Sequence, residues 1–340
     1  MVRELRTSRV VAGLRFLDNA IPQQVQIFAM KISLKRLGFL QLRKSLLAGT
    51  LLLSASLACG QQMAVTFDDL PVHGAMPPRT TRLEIAQSIL ATLKREKMPP
   101  VYGFINGQRM EQDPASSEAL RAWRSAGQPL ANHTWAHLDL SKESPEEFEA
   151  EVSRNEPLLK SLMGKRDWHW LRYPFLREGD TVEKRRAVRA WLFAHGYKIA
   201  EVSMDFEDYL WNEPYARCAA KHDEVSIAKL HDSYLAVADQ YYRVFRELSQ
   251  LVYGRDVKYV LLMHVGAFDA RVLPELLALY RAKGVQFISL QDALADPAYR
   301  DDPDIGERTG GAFLELMMQK KKIKFPPNSK PYKELEAMCR

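Results

Sequence analysis

From about residue 63 to 295 the chain alternates short apolar runs with longer amphipathic stretches. Residues 63–67, 101–105, 129–132, 168–172, 198–202, 259–263 and 285–289 have the length and apolar content of buried strands. Helix signals separate them. Thr81-Arg82-Leu83-Glu84 is a capping box opening a helix to about residue 97, and Ser144-Pro145-Glu146-Glu147 combines an N-cap serine, an N1 proline and a capping glutamate. Helices are predicted over 117–126, 181–195 and 273–283, stopped by Gly127, Gly196 and Gly284, with one or two amphipathic helices over 224–253. Such alternation predicts an α/β fold with a parallel sheet and outer helices, and about seven repeats predict a closed or nearly closed (β/α)7–8 barrel in a single domain. In such barrels the C-terminal ends of the strands carry the chemistry.

Residues 1–58 break the pattern. Lys31, Lys35, Arg36, Arg43 and Lys44 precede an apolar run over 46–57, and Ser56 and Ala58 put small residues at −3 and −1 of a cleavage site. These are the three regions of a secretory signal, and the run is short for a membrane span. Met30 is the more natural start. The expectation is an exported protein, periplasmic or extracellular, cleaved near Ala58. Cys59 offers lipidation as the alternative, although Ser56 stands where lipoprotein signals usually carry an aliphatic residue. Membrane attachment is expected only through that lipid.

Charge supports the division. Residues 1–58 carry nine Lys/Arg and two acids, a net of +7 against +6 for the whole chain, leaving about −1 for the remainder. The basic balance belongs to the leader, so no nucleic-acid partner is expected. Beyond Cys59 only Cys218 and Cys339 remain, and spacing alone allows either a disulfide or two free thiols. Residues 296–340 are polar, with Gly310-Gly311 and Lys320-Lys321-Lys322, and are expected as a tail on the barrel's outside. The catalytic domain is placed at 63–295.

The candidate chemistry lies at strand ends. Asp68-Asp69 follows the first strand, and His133 and His137 follow the third. Two histidines four apart lie on one face of a helical turn, so both can reach one ion. One aspartate can join them while its neighbour stays free as a proton acceptor. Three protein ligands with an open position is how catalytic zinc sites are built. Three further polar clusters follow strand-like runs: Arg172-Tyr173-Pro174-Phe175, Asp205 to Tyr209, and Leu262-Met263-His264.

With these five clusters in order, the chain resembles the polysaccharide deacetylases of carbohydrate esterase family four, whose motifs run TFDD, H[ST]xxH, RxPY, DxxDW and LxH. The resemblance covers about residues 63–295. Thr66 to Asp69, His133 to His137, Arg172 to Phe175, Asp205 to Tyr209 and Leu262 to His264 carry it. Leu70 replaces a usual glycine, Phe175 a tyrosine and Tyr209 a tryptophan; these departures bear on the sugar groove and leave every ligand and proton-transfer position filled. The resemblance implies a distorted barrel with a substrate groove across its top and one divalent metal on Asp69, His133 and His137. Zinc suits that set, which also accepts cobalt, nickel or manganese. It further implies Asp68 as base, oriented by Arg172, and His264 as acid, paired with Asp208. Phe175, through its backbone N–H, Tyr209 and Leu262 are implied at the substrate and oxyanion.

The expected activity is removal of N-acetyl groups from an extracytoplasmic or cell-wall polysaccharide of peptidoglycan or chitin type. O-deacetylation of a polysaccharide is the alternative, since the attack step is shared. A glycan-binding barrel without turnover is disfavoured because Asp68, His264 and all three ligands are present. His73 is expected as a loop residue near the active face, Trp135 as a packing aromatic, and Asp205 as a support for the Asp208 loop. His169, His195, His222 and His231 are expected to be structural or exposed.

Overall fold

All strand pairs in the sheet are parallel, so each strand end that carries a motif opens on the same side. The computed structural model describes residues 60–340; the expected leader, its cleavage site and Cys59 lie outside the described residues. In chain order the strands are β1 (Gln62–Leu70), β2 (Gly103–Ile105), β3 (Leu130–Asn132), β4 (Trp170–Leu171), β5 (Lys198–Ile199), β6 (Tyr259–His264) and β7 (Gln286–Phe287). The helices are α1 (Arg82–Arg95), α2 (Gln108–Gln112), α3 (Ser116–Ser125), α4 (Pro145–Met163), α5 (Val182–Ala194), α6 (Asn212–Ala220), α7 (Glu224–Tyr253), α8 (Ala267–Ala282), α9 (Leu290–Leu294), α10 (Phe313–Lys320) and α11 (Tyr332–Ala337).

The sheet order is β5-β4-β3-β2-β1-β6, with β7 paired to the start of β1. The circle is completed beyond β5, where Met204 bridges Leu261 of β6 and the Leu262 N–H donates to the Met204 carbonyl at 3.0 Å. The expected barrel is therefore present in distorted form. Several strands are shorter than their apolar runs, because ladder pairing gives way to single bonds such as Ala200 N–H to Leu171 O at 2.8 Å.

Two apolar layers hold the barrel together. Ala64, Tyr102, Phe104, Ala131, Trp170, Ala200 and Val260 fill the interior, with Leu290 and Ala293 of α9 packed against them. Small residues on β1, on β3 and just after β5 make room for the aromatic residues of β2, its flank and β4. The alternate positions, Met63, Val65 and Phe67 among them, face the helices. Residues 63–70 of β1 are buried throughout, as a strand covered on both faces must be.

Both expected capping boxes are formed. The Thr81 hydroxyl accepts from the Glu84 N–H at 3.2 Å while the Glu84 carboxylate accepts from the Thr81 N–H at 2.8 Å, and Ser144 and Glu147 repeat the arrangement. The 224–253 stretch is one helix of 30 residues. Helix α8 begins six residues before the expected 273; its first turns bury Ala267, Phe268, Asp269, Ala270 and Val272, and only Arg271 among them is exposed, too little polar surface to show a helical period. No described helix is long and apolar enough to cross a membrane.

Residues 296–340 add to the outer apolar layer. Phe313, Leu314, Met317 and Met318 of α10 are buried, and the Phe313 N–H donates to the Val202 carbonyl. Cys218 and Cys339 are joined in a disulfide, which ties the end of the chain to α6.

Candidate active site

The register of β1 and β6 sets the site. Residues 63–68 pair in step with 259–264, so Asp68 stands opposite His264 at the open end of the barrel. Asp68 points inward and is buried, with both carboxylate oxygens accepting from Arg172 Nη1 at 3.0 and 3.1 Å. Arg172 is itself held: Nη2 donates to Thr66 Oγ1, Nε donates to the Ala200 carbonyl, and its plane lies 4.6 Å from the Phe104 ring centre. Burial raises the Asp68 carboxyl to about 6, against the pull of Arg172.

Across from it, the His264 ring Nδ1 donates to Asp208 Oδ1 at 2.7 Å and the His264 backbone N–H donates to Asp208 Oδ2 at 2.6 Å. Burial works against the charged ring, but the Asp208 carboxylate overrides it and raises His264 to about 10. Asp205 accepts from the Glu207 N–H and so braces the Asp208 loop, the expected support.

Asp69, with φ of 63°, turns its carboxylate the other way. Its Oδ1 lies 3.4 Å from His137 Nε2 and 3.6 Å from His133 Nε2. The His133 Nδ1 meets the Arg172 carbonyl at 2.8 Å; a carbonyl only accepts, so Nδ1 carries the proton and Nε2 presents a lone pair. Burial pushes both histidines down to about 4, keeping the rings neutral. Burial works to raise Asp69, yet the hydrogen bond from His73 and the neighbouring histidines hold it well below the ordinary value. Asp69 Oδ1 is buried without a hydrogen-bond partner. An orphaned carboxylate oxygen facing two imidazole lone pairs, with ligand atoms within 4.8 Å of one another, is a donor set that fits a divalent cation.

The histidine pair reaches this position by a different route from the expected helical turn. Residues 133–137 form a bent loop in which Thr134 and His137 both have positive φ, 61° and 59°. Buried amides replace the helical hydrogen bonds. Asn132 Oδ1 accepts from the Thr134 N–H, while Asn106 and Asn155 donate to the Thr134 carbonyl. Side chains that offer the backbone such partners compete with helix formation.

The site opens into a cleft of about 430 Å³ lined by Asp68, Asp69, His73, His133, His137, Asp205 and His264 together with Phe175, Tyr209 and Leu262; Arg172 and Asp208, both buried, are not part of its wall. Phe175 has φ of 57°, is 51 % exposed, and its ring meets His137 at 4.4 Å. Tyr209 meets His264 edge-on at 5.1 Å. Trp135 packs over Gly107 beneath Arg154, away from the cleft. His169, His195, His222 and His231 are also absent from its walls. Arg177, Glu315 and the segment Thr309–Gly311, which lie outside the five clusters, line it as well, as does Glu207 within the fourth. The Gly310-Gly311 pair was the available signal: Gly310 has φ of 75°, and a Cβ there would stand 2.3 Å from the Phe175 carbonyl oxygen.

Residues 58–191 match the polysaccharide deacetylase family. That match contains Asp68, Asp69, His133, His137, Arg172 and Phe175 and ends before Asp208 and His264. A peptidoglycan N-acetylglucosamine deacetylase of Bacillus cereus is 25% identical over 148 residues, which are 44% of this chain and 46% of that one; the alignment thus spans under half of the relative. Among solved structures, the chitin deacetylase of Colletotrichum lindemuthianum superposes with a TM-score of 0.49 at 20% identity, over 70% of this chain and 90% of that one. A CE4 family pseudoenzyme of Bacillus anthracis superposes with a TM-score of 0.47 at 13% identity, over 70% and 66%.

Proposed function

We propose that this chain, which matches the polysaccharide deacetylase family over residues 58–191, is a metal-dependent hydrolase. Its substrate is an N-acetylated amino-sugar polysaccharide of peptidoglycan or chitin type, met outside the cytoplasm. One observation carries the reading: the orphaned Asp69 Oδ1 converges with His133 and His137 beside a buried Asp68 that faces His264 across the β1–β6 register. A cation held by Asp69, His133 and His137 would supply Lewis-acid polarisation of the acetyl carbonyl and of the attacking water.

The chain's own groups account for the proton movements. Asp68, ionised and held by Arg172, accepts a proton from the water as its oxygen bonds to the acetyl carbon. The backbone N–H of Phe175, at the cleft edge, donates to the developing oxyanion. His264, kept protonated by Asp208, gives its proton to the amide nitrogen as the carbon–nitrogen bond breaks. Acetate and a free amine are the products. Tyr209 and Leu262 shape the wall against which the acetyl group lies.

The test is acetate release by the protein beginning near Cys59 from chitooligosaccharides, peptidoglycan, acetylxylan and a synthetic ester. An amino-sugar substrate should release acetate, chelation should abolish the release, and zinc or cobalt should restore it. Metal binding without acetate from any substrate would reject hydrolysis in favour of glycan binding. Mass spectrometry of the native protein should find a mature start near Cys59, with a diacylglyceryl adduct if the cysteine is lipidated.

A further inference from the structure

We propose that His73 is a positioning residue for the metal ligand Asp69, holding one carboxylate oxygen so that only the other faces the ion. This rests on the metal site of the proposed function and assigns a residue outside its ligand set. His73 Nδ1 lies 2.5 Å from Asp69 Oδ2, and because an ionised carboxylate only accepts, Nδ1–H is the donor. The opposite oxygen, Oδ1, has no donor and faces His133 and His137. One oxygen is thus committed to the protein and the other left for a cation, which favours ligation through a single oxygen in a fixed direction.

The backbone that carries the ring is itself held in place. The His73 N–H donates to the Val265 carbonyl at 2.7 Å, and the Val265 N–H donates to the Asp68 carbonyl at 3.2 Å. The loop after β1 is therefore fastened to the end of β6. The ring sits 4.8 Å from His264 and 5.4 Å from Tyr209, with its side chain 26 % exposed to the cleft.

Direct ligation by His73 is the competing arrangement, since Asp69, His73 and His264 atoms also lie within 4.8 Å of one another. The two oxygens of Asp69 disfavour it: Oδ2, on the His73 side, already accepts the His73 hydrogen bond, while the orphaned Oδ1 faces His133 and His137.

The experiment measures zinc and cobalt affinity by competition with a chromophoric chelator, with zinc-edge X-ray absorption to count imidazole ligands. Wild type should show two imidazoles. His73→Ala should keep two and bind metal about 10- to 100-fold more weakly, the range for losing a partner of a ligating group. His73→Asn places an amide N–H near the Nδ1 position and should restore most of the affinity, whereas His73→Gln, with its amide one bond further out, should not. Unchanged affinity in His73→Ala, equal rescue by both amides, or three imidazoles in wild type would overturn the proposal. His133→Ala is the control for the underlying site: if it too binds metal unchanged, the ligand assignment has failed rather than the role of His73.

Discussion

Asp68 and His264 are neighbours across two strands, and each has been given a fixed partner that sets its charge. The proposed mechanism requires Asp68 ionised, so activity should rise with pH through the carboxyl near 6; it requires His264 protonated, so activity should fall as pH passes the imidazole near 10. A bell-shaped rate profile between those limbs is expected, with the acid limb lower still in the loaded enzyme because the cation adds positive charge beside Asp68. Asp208→Asn removes the carboxylate that raises His264, so the alkaline limb should move to lower pH, as read from kcat/KM against pH. Asp68→Asn should keep its metal while turnover falls by about 10²- to 10⁴-fold, the span for losing one acid–base group. His264→Ala separates two roles. If it protonates the leaving nitrogen, amide substrates should suffer more than activated esters, and an equal loss on both would point to oxyanion stabilisation instead.

At the scale of elements, the loop carrying His133 and His137 depends on amides from its neighbours. Asn155 of α4 donates to the Ile105 carbonyl, to Asn132 Oδ1 and to the Thr134 carbonyl, all in the buried interior. Its removal leaves acceptors without donors where water is excluded. Asn155→Ala should therefore destabilise the fold by about 1–3 kcal/mol in urea unfolding and weaken metal binding as well. A substitution of similar size on the exposed face of α4 should do neither. The same logic explains why the HxxxH spacing was legible and its conformation was not. Spacing is a property of the sequence, but Asn106, Asn132 and Asn155 are brought together only when β2, β3 and α4 have packed.

At the scale of the whole molecule, the C-terminal segment closes one side of the cleft. The Cys218–Cys339 disulfide and Arg217, which donates to the Leu335 and Met338 carbonyls, fasten the end of the chain to α6. Further along, Lys330 and Tyr332 meet the Glu207 carboxylate at 2.9 and 2.6 Å, and Glu207 lines the cleft. Gly310 sets how closely this segment approaches the Phe175 loop. Gly310→Ala adds a strained φ and a methyl group directed at the Phe175 carbonyl, so Phe175 must shift. Its kcat/KM on polysaccharide should fall while zinc affinity, which depends on atoms deeper in the barrel, stays at the wild-type value. A loss of both would place residue 310 in the general stability of the fold.

The sequence by itself determined the strand–helix alternation, the two capping boxes, the glycine stops, and the kinds of residue waiting at the strand ends. These are legible because helix caps and periodicity involve residues within about four positions of one another. Only the tertiary structure decided how those residues meet. Asp68 turns to Arg172 and Asp69 to the histidines because the backbone at 69 flips to positive φ and each carboxylate finds its partner. Asp68 faces His264 because β1 and β6, nearly two hundred residues apart, pair in one register. Even His73 and Asp69, four positions apart, meet in a loop that is fastened to Val265, at the far end of the chain's pairing with β1. Likewise, Thr309–Gly311 joins the site because apolar residues of α10 bury themselves against the barrel. Local hydrogen bonds and periodic burial are written within a few neighbouring residues, whereas register, loop closure and the meeting of distant side chains arise only when separate elements exclude water together.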